Sequence, residues 1–227
     1  MTLIICAIKN EIKPFLAELE NVKKEKCASM KVHHGTINGA KVTVVRCGVG
    51  LNKAAVETRA LIDNYTISRI IMSGTAGGVE EKLKIGDTII SEEILYHEGK
   101  IELPQDISSF DAEIPFKADE NLLISAKTVV ENTPFTQAVY FGRITSGSKF
   151  LSGKGFAEVA DKFNPMCVDM ETAAVAHVCA INKIPFIAVR SITDSPEKSG
   201  LLNFYKNVVQ ASKNSYTVTE RLLQELE

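Results

Sequence analysis

With 227 residues, 45% apolar side chains and a formal net charge of −2, the chain has material for one sizeable core and no basic surface for nucleic acid. No apolar stretch approaches transmembrane length, so no membrane partner is expected. Thr2–Ile8 is short for a secretion signal and lacks its basic flank and cleavage site, which points to a cytoplasmic protein.

Leu3–Ile8 is an apolar run of buried-strand type, and an amphipathic helix with Phe15, Leu16 and Leu19 on one face follows it. Glu11 falls just past that strand, where an acid also suits a first helical turn. Val22–Ser29 is polar and basic and reads as a surface connection. Asn38-Gly39 predicts a hairpin between Lys31–Thr36 and Lys41–Cys47. His33 and His34 should point to opposite faces of a surface strand and cannot chelate together.

Gly48-Val49-Gly50 opens a helix running to about Asp63. Arg69–Gly78 is a third strand that ends in the glycine-rich loop Ser73-Gly74-Thr75-Ala76-Gly77-Gly78, where backbone can approach a small molecule closely. A dinucleotide fingerprint is absent there, so no cofactor is expected. Strands follow at 88–96 and 138–145, with a helix capped by Asp119 between them and a polar loop over 97–115. The second of these strands ends at Ser146-Gly147, just before Phe150.

Cys167-Val168-Asp169-Met170-Glu171 then runs from a short buried strand into an almost wholly apolar helix reaching Ile181. Ile184–Asp194 has the continuous apolar character of a central parallel strand, with Arg190 and Asp194 near its exit. Taken singly, each has a structural reading: Arg190 paired to a carboxylate, Asp194 capping a turn. An amphipathic helix over 200–223, with Leu201, Tyr205, Val208 and Leu222 among its apolar positions, closes the chain. The five cysteines (Cys6, Cys27, Cys47, Cys167, Cys179) form no CxxC and read as reduced thiols, and no metal site is expected.

The positions of the polar residues carry more than any one motif. Glu11, Gly50, Thr75, Phe150, Glu171 and Asp194 each fall just beyond the carboxyl end of a different apolar strand. That is the edge at which open α/β sheets bind ligands.

The segments Gly48-Val49-Gly50, Ser73–Gly78, Ser146-Gly147, Val168–Ala174 and Arg190–Asp194 resemble, in order and spacing, the 5′-methylthioadenosine/S-adenosylhomocysteine nucleosidases of the purine nucleoside phosphorylase superfamily. The resemblance runs nearly end to end. It implies a single domain over residues 1–227, a three-layer α/β/α fold around a mixed, largely parallel sheet, and a homodimer. The implied activity is hydrolysis of the N-glycosidic bond of 5′-methylthioadenosine and/or S-adenosylhomocysteine, with release of adenine. Alternatives are a purine nucleoside phosphorylase, an aminodeoxyfutalosine-type nucleosidase and a non-catalytic nucleoside-binding protein.

The chemistry asks for an acid of raised pKa at the purine, and Asp194 is the candidate for protonating N7. By resemblance, Glu11 is the base for water, helped by Thr75 and Arg190. Glu171 should stay anionic at its helix N-terminus and hold the ribose hydroxyls, with Met170 against the sugar. Phe150 would stack on the purine, the Leu151 backbone would meet its Watson–Crick edge, and Gly77 would line the loop. Ile71-Met72-Ser73 stands where the phosphorylases carry a phosphate-binding arginine, which favours hydrolysis.

Three departures from the family stand out. Asp169 replaces a usual Glu, and Ser148-Lys149 replaces a usual Asp-x. The segment after Tyr96-His97-Glu98 lacks the Phe-Gly-Tyr stretch that helps form the 5′ pocket. Its apolar residues and two prolines imply a dry 5′ end and a preference for methylthioadenosine.

Overall fold

The computed structural model describes residues 1–98 and 115–227. In chain order the elements are β1 (Thr2–Cys6), α1 (Lys9–Glu18), β2 (Glu20–Cys27), β3 (Met30–Ile37), β4 (Ala40–Arg46), α2 (Leu51–Asn64), β5 (Arg69–Gly78) and β6 (Thr88–Tyr96). They continue with β7 (Phe116–Lys117), α3 (Glu120–Asn132), β8 (Val139–Ser146), α4 (Lys154–Phe163), β9 (Cys167–Asp169), α5 (Thr172–Asn182), β10 (Phe186–Asp194) and α6 (Leu201–Glu225). The loop expected over 97–115 lies mostly outside the described residues.

All strands join one mixed sheet in the order β10-β6-β8-β9-β5-β1-β4-β3-β2, with β7 on β6. Strands β4, β1, β5 and β10 run parallel to one another. Because β10 also pairs with β5, the strands β5, β9, β8, β6 and β10 close into a ring, which the apolar runs alone do not reveal. The continuous apolar character of β1 and β10 follows from burial on both faces: every residue of each is buried.

Helices cover both faces. On one, Ala54 and Leu61 of α2 and Ala173–Ala176 of α5 pack over Ile5, Ile70 and Met72. On the other, Phe15 of α1, Leu122 of α3 and Leu222 of α6 pack over Ile4, Ile71 and Val189. Each fully buried Leu, Ile, Val, Met or Phe side chain among these contributes about 1.5–3 kcal/mol relative to exposure. The three-layer arrangement is as expected. The β3–β4 turn also follows the sequence, with Asn38 and Gly39 at φ 49° and 87°.

Four expectations change. Val22–Ser29 is not a connection but mostly β2, an edge strand paired antiparallel to β3. Its first seven residues are exposed, so no apolar face marks it. His33 is buried rather than at the surface, because β3 is an interior strand held between β2 and β4. No element is predicted over 152–165, yet α4 forms there and buries Phe156 and Val159. In α6, Leu201 and Tyr205 are 57% and 67% exposed, since the helix starts before it reaches the core and buries only its later turns, from Val208 onward.

Candidate active site

The site grows from the exits of the parallel strands. After β1 the chain turns at Ala7 and Ile8 into α1, and Glu11, in the first turn of α1, reaches back. Its Oε2 accepts from the Ala7 and Ile8 backbone N–H groups at 2.8 and 3.0 Å. Its Oε1 accepts from Thr75 N and Thr75 Oγ1, both at 2.8 Å. Four donors therefore fix this buried carboxylate between the ends of β1 and β5. Gly74 makes the approach possible. A Cβ built there would stand 2.6 Å from Glu11 Oε1 and 2.4 Å from Arg190 Nη1.

The β9–α5 junction holds a second, wholly buried polar cluster. Asp169 Oδ1 accepts from Glu171 N, Thr172 N and Ser146 Oγ, so a short carboxylate caps the start of α5. Its Oδ2 accepts from Thr172 Oγ1 and pairs with Arg190 Nε at 2.8 Å. Arg190 Nε and Nη2 both donate to Thr172 Oγ1, at 3.0 and 2.8 Å. The third nitrogen, Nη1, is buried with no hydrogen-bond partner among the described residues. Burial opposes the charge of Arg190, but Asp169, Glu11 and Glu171 outweigh it and push the pKa up.

Glu171 stands beside this pair. Its Oε1 accepts from Gly50 N at 2.9 Å, where the glycine turn opens α2, and its Oε2 lies 3.9 Å from Arg190 Nη2. The helix N-terminus leads one to expect an anionic Glu171, and burial works against that charge. Burial and the neighbouring Asp169 raise its pKa to about 8, against the opposing pull of Arg190 and Gly50. The helix N-terminus is not decisive because the guanidinium is already committed to Asp169 and Thr172.

Asp194 ends β10 just after a register shift between Ile192 and Asp194 opposite Gly77. Thr193 Oγ1 lies 2.8 Å from Asp194 Oδ1 and 3.2 Å from the Ala76 carbonyl, and Asn207 of α6 donates to the Thr193 carbonyl. Burial pushes the Asp194 carboxyl up to about 6, although the Thr193 hydroxyl pulls the other way.

Glu11, Thr75, Gly77, Phe150, Leu151, Met170, Glu171 and Asp194 all line one cavity of about 490 Å³. Arg190 does not reach its wall and sits behind Glu171, fully buried. Phe150 is 39% exposed and meets Phe204 edge-on at 6.0 Å between ring centroids. The turn before it is held by Glu98, which accepts from Ser148 N at 2.7 Å and from Ser148 Oγ. Among the described residues, no group of three or more His, Cys, Asp or Glu side chains is arranged to hold a metal ion.

A family model described as the phosphorylase superfamily matches residues 2–224. The chain belongs to the phosphorylase superfamily. It is 31% identical to the 5′-methylthioadenosine/S-adenosylhomocysteine nucleosidase of Psychromonas ingrahamii, over 98% of both chains. A crystal structure of the Colwellia psychrerythraea nucleosidase in complex with adenine superposes with a TM-score of 0.88 at 28% identity, covering 99% of this chain and 95% of that one. The Neisseria meningitidis nucleosidase in complex with methylthio-immucillin-A gives 0.88 at 27%, covering 98% of each.

Within this superfamily member, some site residues escape sequence reasoning. Leu201, Phe204 and Tyr205 line the cavity from the start of α6, and Phe156 from α4. The 201, 204, 205 spacing marks one helix face, but nothing in the sequence distinguishes a face on a cavity from a face on the core. The Thr172–Asp169–Ser146 cluster is likewise silent, because Ser146 is 23 residues from its partner.

Proposed function

We propose that the protein is a purine nucleoside N-glycosidase that hydrolyses 5′-methylthioadenosine and/or S-adenosylhomocysteine and releases adenine. One observation carries this reading: a four-donor buried carboxylate, Glu11, and a carboxyl raised to about 6, Asp194, line the same 490 Å³ cavity. The likeness to nucleosidases over nearly the whole chain supports the substrate class.

Asp194 gives its proton to purine N7 as the C1′–N9 bond breaks, and the bonding pair leaves with the base. The ribosyl ring becomes oxocarbenium-like. Glu11 takes a proton from water as the water oxygen bonds to C1′. Thr75 holds Glu11, and Arg190, which does not line the cavity, acts on the water only through its positive charge beside Glu11. Glu171 receives the ribose hydroxyls. Those donors and the growing positive charge draw it toward its anionic form. Met170 packs on the sugar, Phe150 stacks on the purine, and the Gly77 and Leu151 backbones meet the ligand.

Hydrolysis is favoured over phosphorolysis. A phosphate dianion needs a guanidinium clamp. Ile71-Met72-Ser73 offers none, Arg46 is exposed, and two of the three Arg190 nitrogens are engaged. The working unit is one domain spanning residues 1–227. It acts as a cytoplasmic homodimer, with no helix of the described residues long and apolar enough to cross a membrane.

The test incubates methylthioadenosine, adenosylhomocysteine, adenosine and inosine with the protein, with and without phosphate, and follows the free base. Adenine and a free thiopentose are expected from the first two substrates at equal rates in both buffers. Ribose-1-phosphate products would overturn the hydrolase reading, and no free base from any substrate would leave only a binding protein.

A further inference from the structure

We propose that Thr172 is a positioning residue for this reaction: its hydroxyl holds the Arg190 guanidinium on Asp169 and off Glu171, and leaves Nη1 facing Glu11. The inference rests on the nucleosidase reading above for its kinetic consequence, but not for its geometry.

Thr172 is fully buried, and its single hydroxyl serves three partners. It donates to Asp169 Oδ2 and accepts from both Nε and Nη2 of Arg190. Nη2 donates its hydrogen bond to this hydroxyl at 2.8 Å, while Glu171 Oε2 stands 3.9 Å away, beyond hydrogen-bond reach. Without the hydroxyl, Nη2 is a buried charged donor with nothing to bond, a costly state in a low-dielectric interior. The closest remedy is to swing onto Glu171. That rotation draws Nη1 away from the point beside Gly74 that it shares with Glu11. A two-atom change thus redistributes one positive charge among three acids.

Glu171 is the group that reports the change. It faces Asp169 from β9, Arg190 from β10, Glu11 from α1, the Cys47 thiol beyond β4 and the Gly50 N–H at the start of α2. Of these, Arg190 is the cation, so its approach lowers the midpoint at which Glu171 ionises. A purely structural role for Thr172 would cost stability and leave that midpoint in place.

The experiment compares the wild type with Thr172→Ala, Thr172→Val and Thr172→Ser. Carboxyl carbon-13 NMR follows Glu171, assigned with Glu171→Gln, and steady-state kinetics follow adenine release. Whichever of the Ala and Val variants folds should show a Glu171 midpoint lower by about one pH unit. Its kcat should fall about 10–100-fold, the scale set by misplacing a catalytic group, with KM changing less. The Ser variant keeps the hydroxyl and should match the wild type in both. A folded Ala or Val variant with the wild-type midpoint and kcat overturns the proposal, as does a Ser variant that loses as much as Ala. If the wild type releases no adenine, the nucleosidase reading fails, while the NMR midpoints still decide the role of Thr172.

Discussion

Arg190 Nη1 and Glu11 Oε1 flank the same empty point, 2.4 and 2.6 Å from where a side chain on Gly74 would begin. Neither neighbour can yield, since Glu11 is held by four donors and Arg190 is fully buried. Gly74→Ala should therefore cost turnover by at least about 100-fold and lower the melting temperature as well. Adenine-release kinetics and a thermal melt check both effects together. A variant with wild-type kcat would show that the Glu11–Arg190 arrangement does not matter to the reaction.

Asp194→Asn should reduce kcat/KM by about two to four orders of magnitude, the usual worth of a positioned acid. Asp194 is the proton donor only below its pKa of about 6, so wild-type kcat/KM should fall as pH rises through that value. The residual activity of the Asn variant should lack this limb. A pH profile shared by the two proteins would take Asp194 out of proton transfer.

The same carboxyl makes a prediction about stability. Its folded pKa, about 6, lies above its ordinary value of 3.8, so the folded state binds the proton more tightly than the unfolded one. Stability from this group is complete below pH 3.8 and is lost as pH climbs toward 6. At neutral pH the loss is at most about 3 kcal/mol. Relative to the wild type, Asp194→Asn should thus gain stability between pH 4 and 7, measured by urea melts across that range. A constant difference would mean that Asp194 is not desolvated.

Glu11→Gln should damage both chemistry and fold. A carboxamide offers one oxygen and one NH2 group where each carboxylate oxygen of Glu11 faces at least one backbone N–H, from Ala7 and Ile8 on one side and Thr75 on the other. A buried donor set against donors costs about 1–3 kcal/mol, or several degrees in Tm for a chain of this length. Turnover should drop by about two to four orders of magnitude as the base is lost. Unchanged turnover at lowered Tm would confine Glu11 to a structural role.

Methylthioadenosine should be turned over with a higher kcat/KM than adenosylhomocysteine. Val49, Leu201, Phe204 and Tyr205 give the cavity an apolar wall, and an unpaired ammonium or carboxylate buried against such a wall is costly. Residues 99–114, from which the same preference is expected, lie outside those described. A clear preference for adenosylhomocysteine would reject the dry pocket.

How much of this was legible in sequence varies by element for physical reasons. Strands β1, β5 and β10 announce themselves because burial on both faces demands unbroken apolar runs. Glu11, Glu171 and Asp194 stand out because they interrupt such runs at one end. Strand β2 does not, since its first seven residues are exposed and it joins the sheet through backbone pairing and polar side-chain contacts rather than an apolar face. The upward shift of the Glu171 pKa is not legible in sequence, because it depends on burial and on how Arg190 is shared, and Arg190, Thr172 and Asp169 come together only through the fold. The exposed Leu201 and Tyr205 have the same residue types and spacing as core positions, and only the end of the sheet tells them apart.

The five cysteines have a use unconnected with the site. All are free and buried, and burial is the leading cause that pushes each thiol's ionisation upward. Since thiolates are the reactive species, an alkylating reagent meets almost none in the folded chain. Each sulfur becomes available only when its own segment opens: Cys27 on the outermost strand, Cys6 at the end of β1, Cys47 just past β4, Cys167 at the ring, Cys179 inside α5. The order in which the five take up label is thus a map of local opening, written into the chain without any added probe.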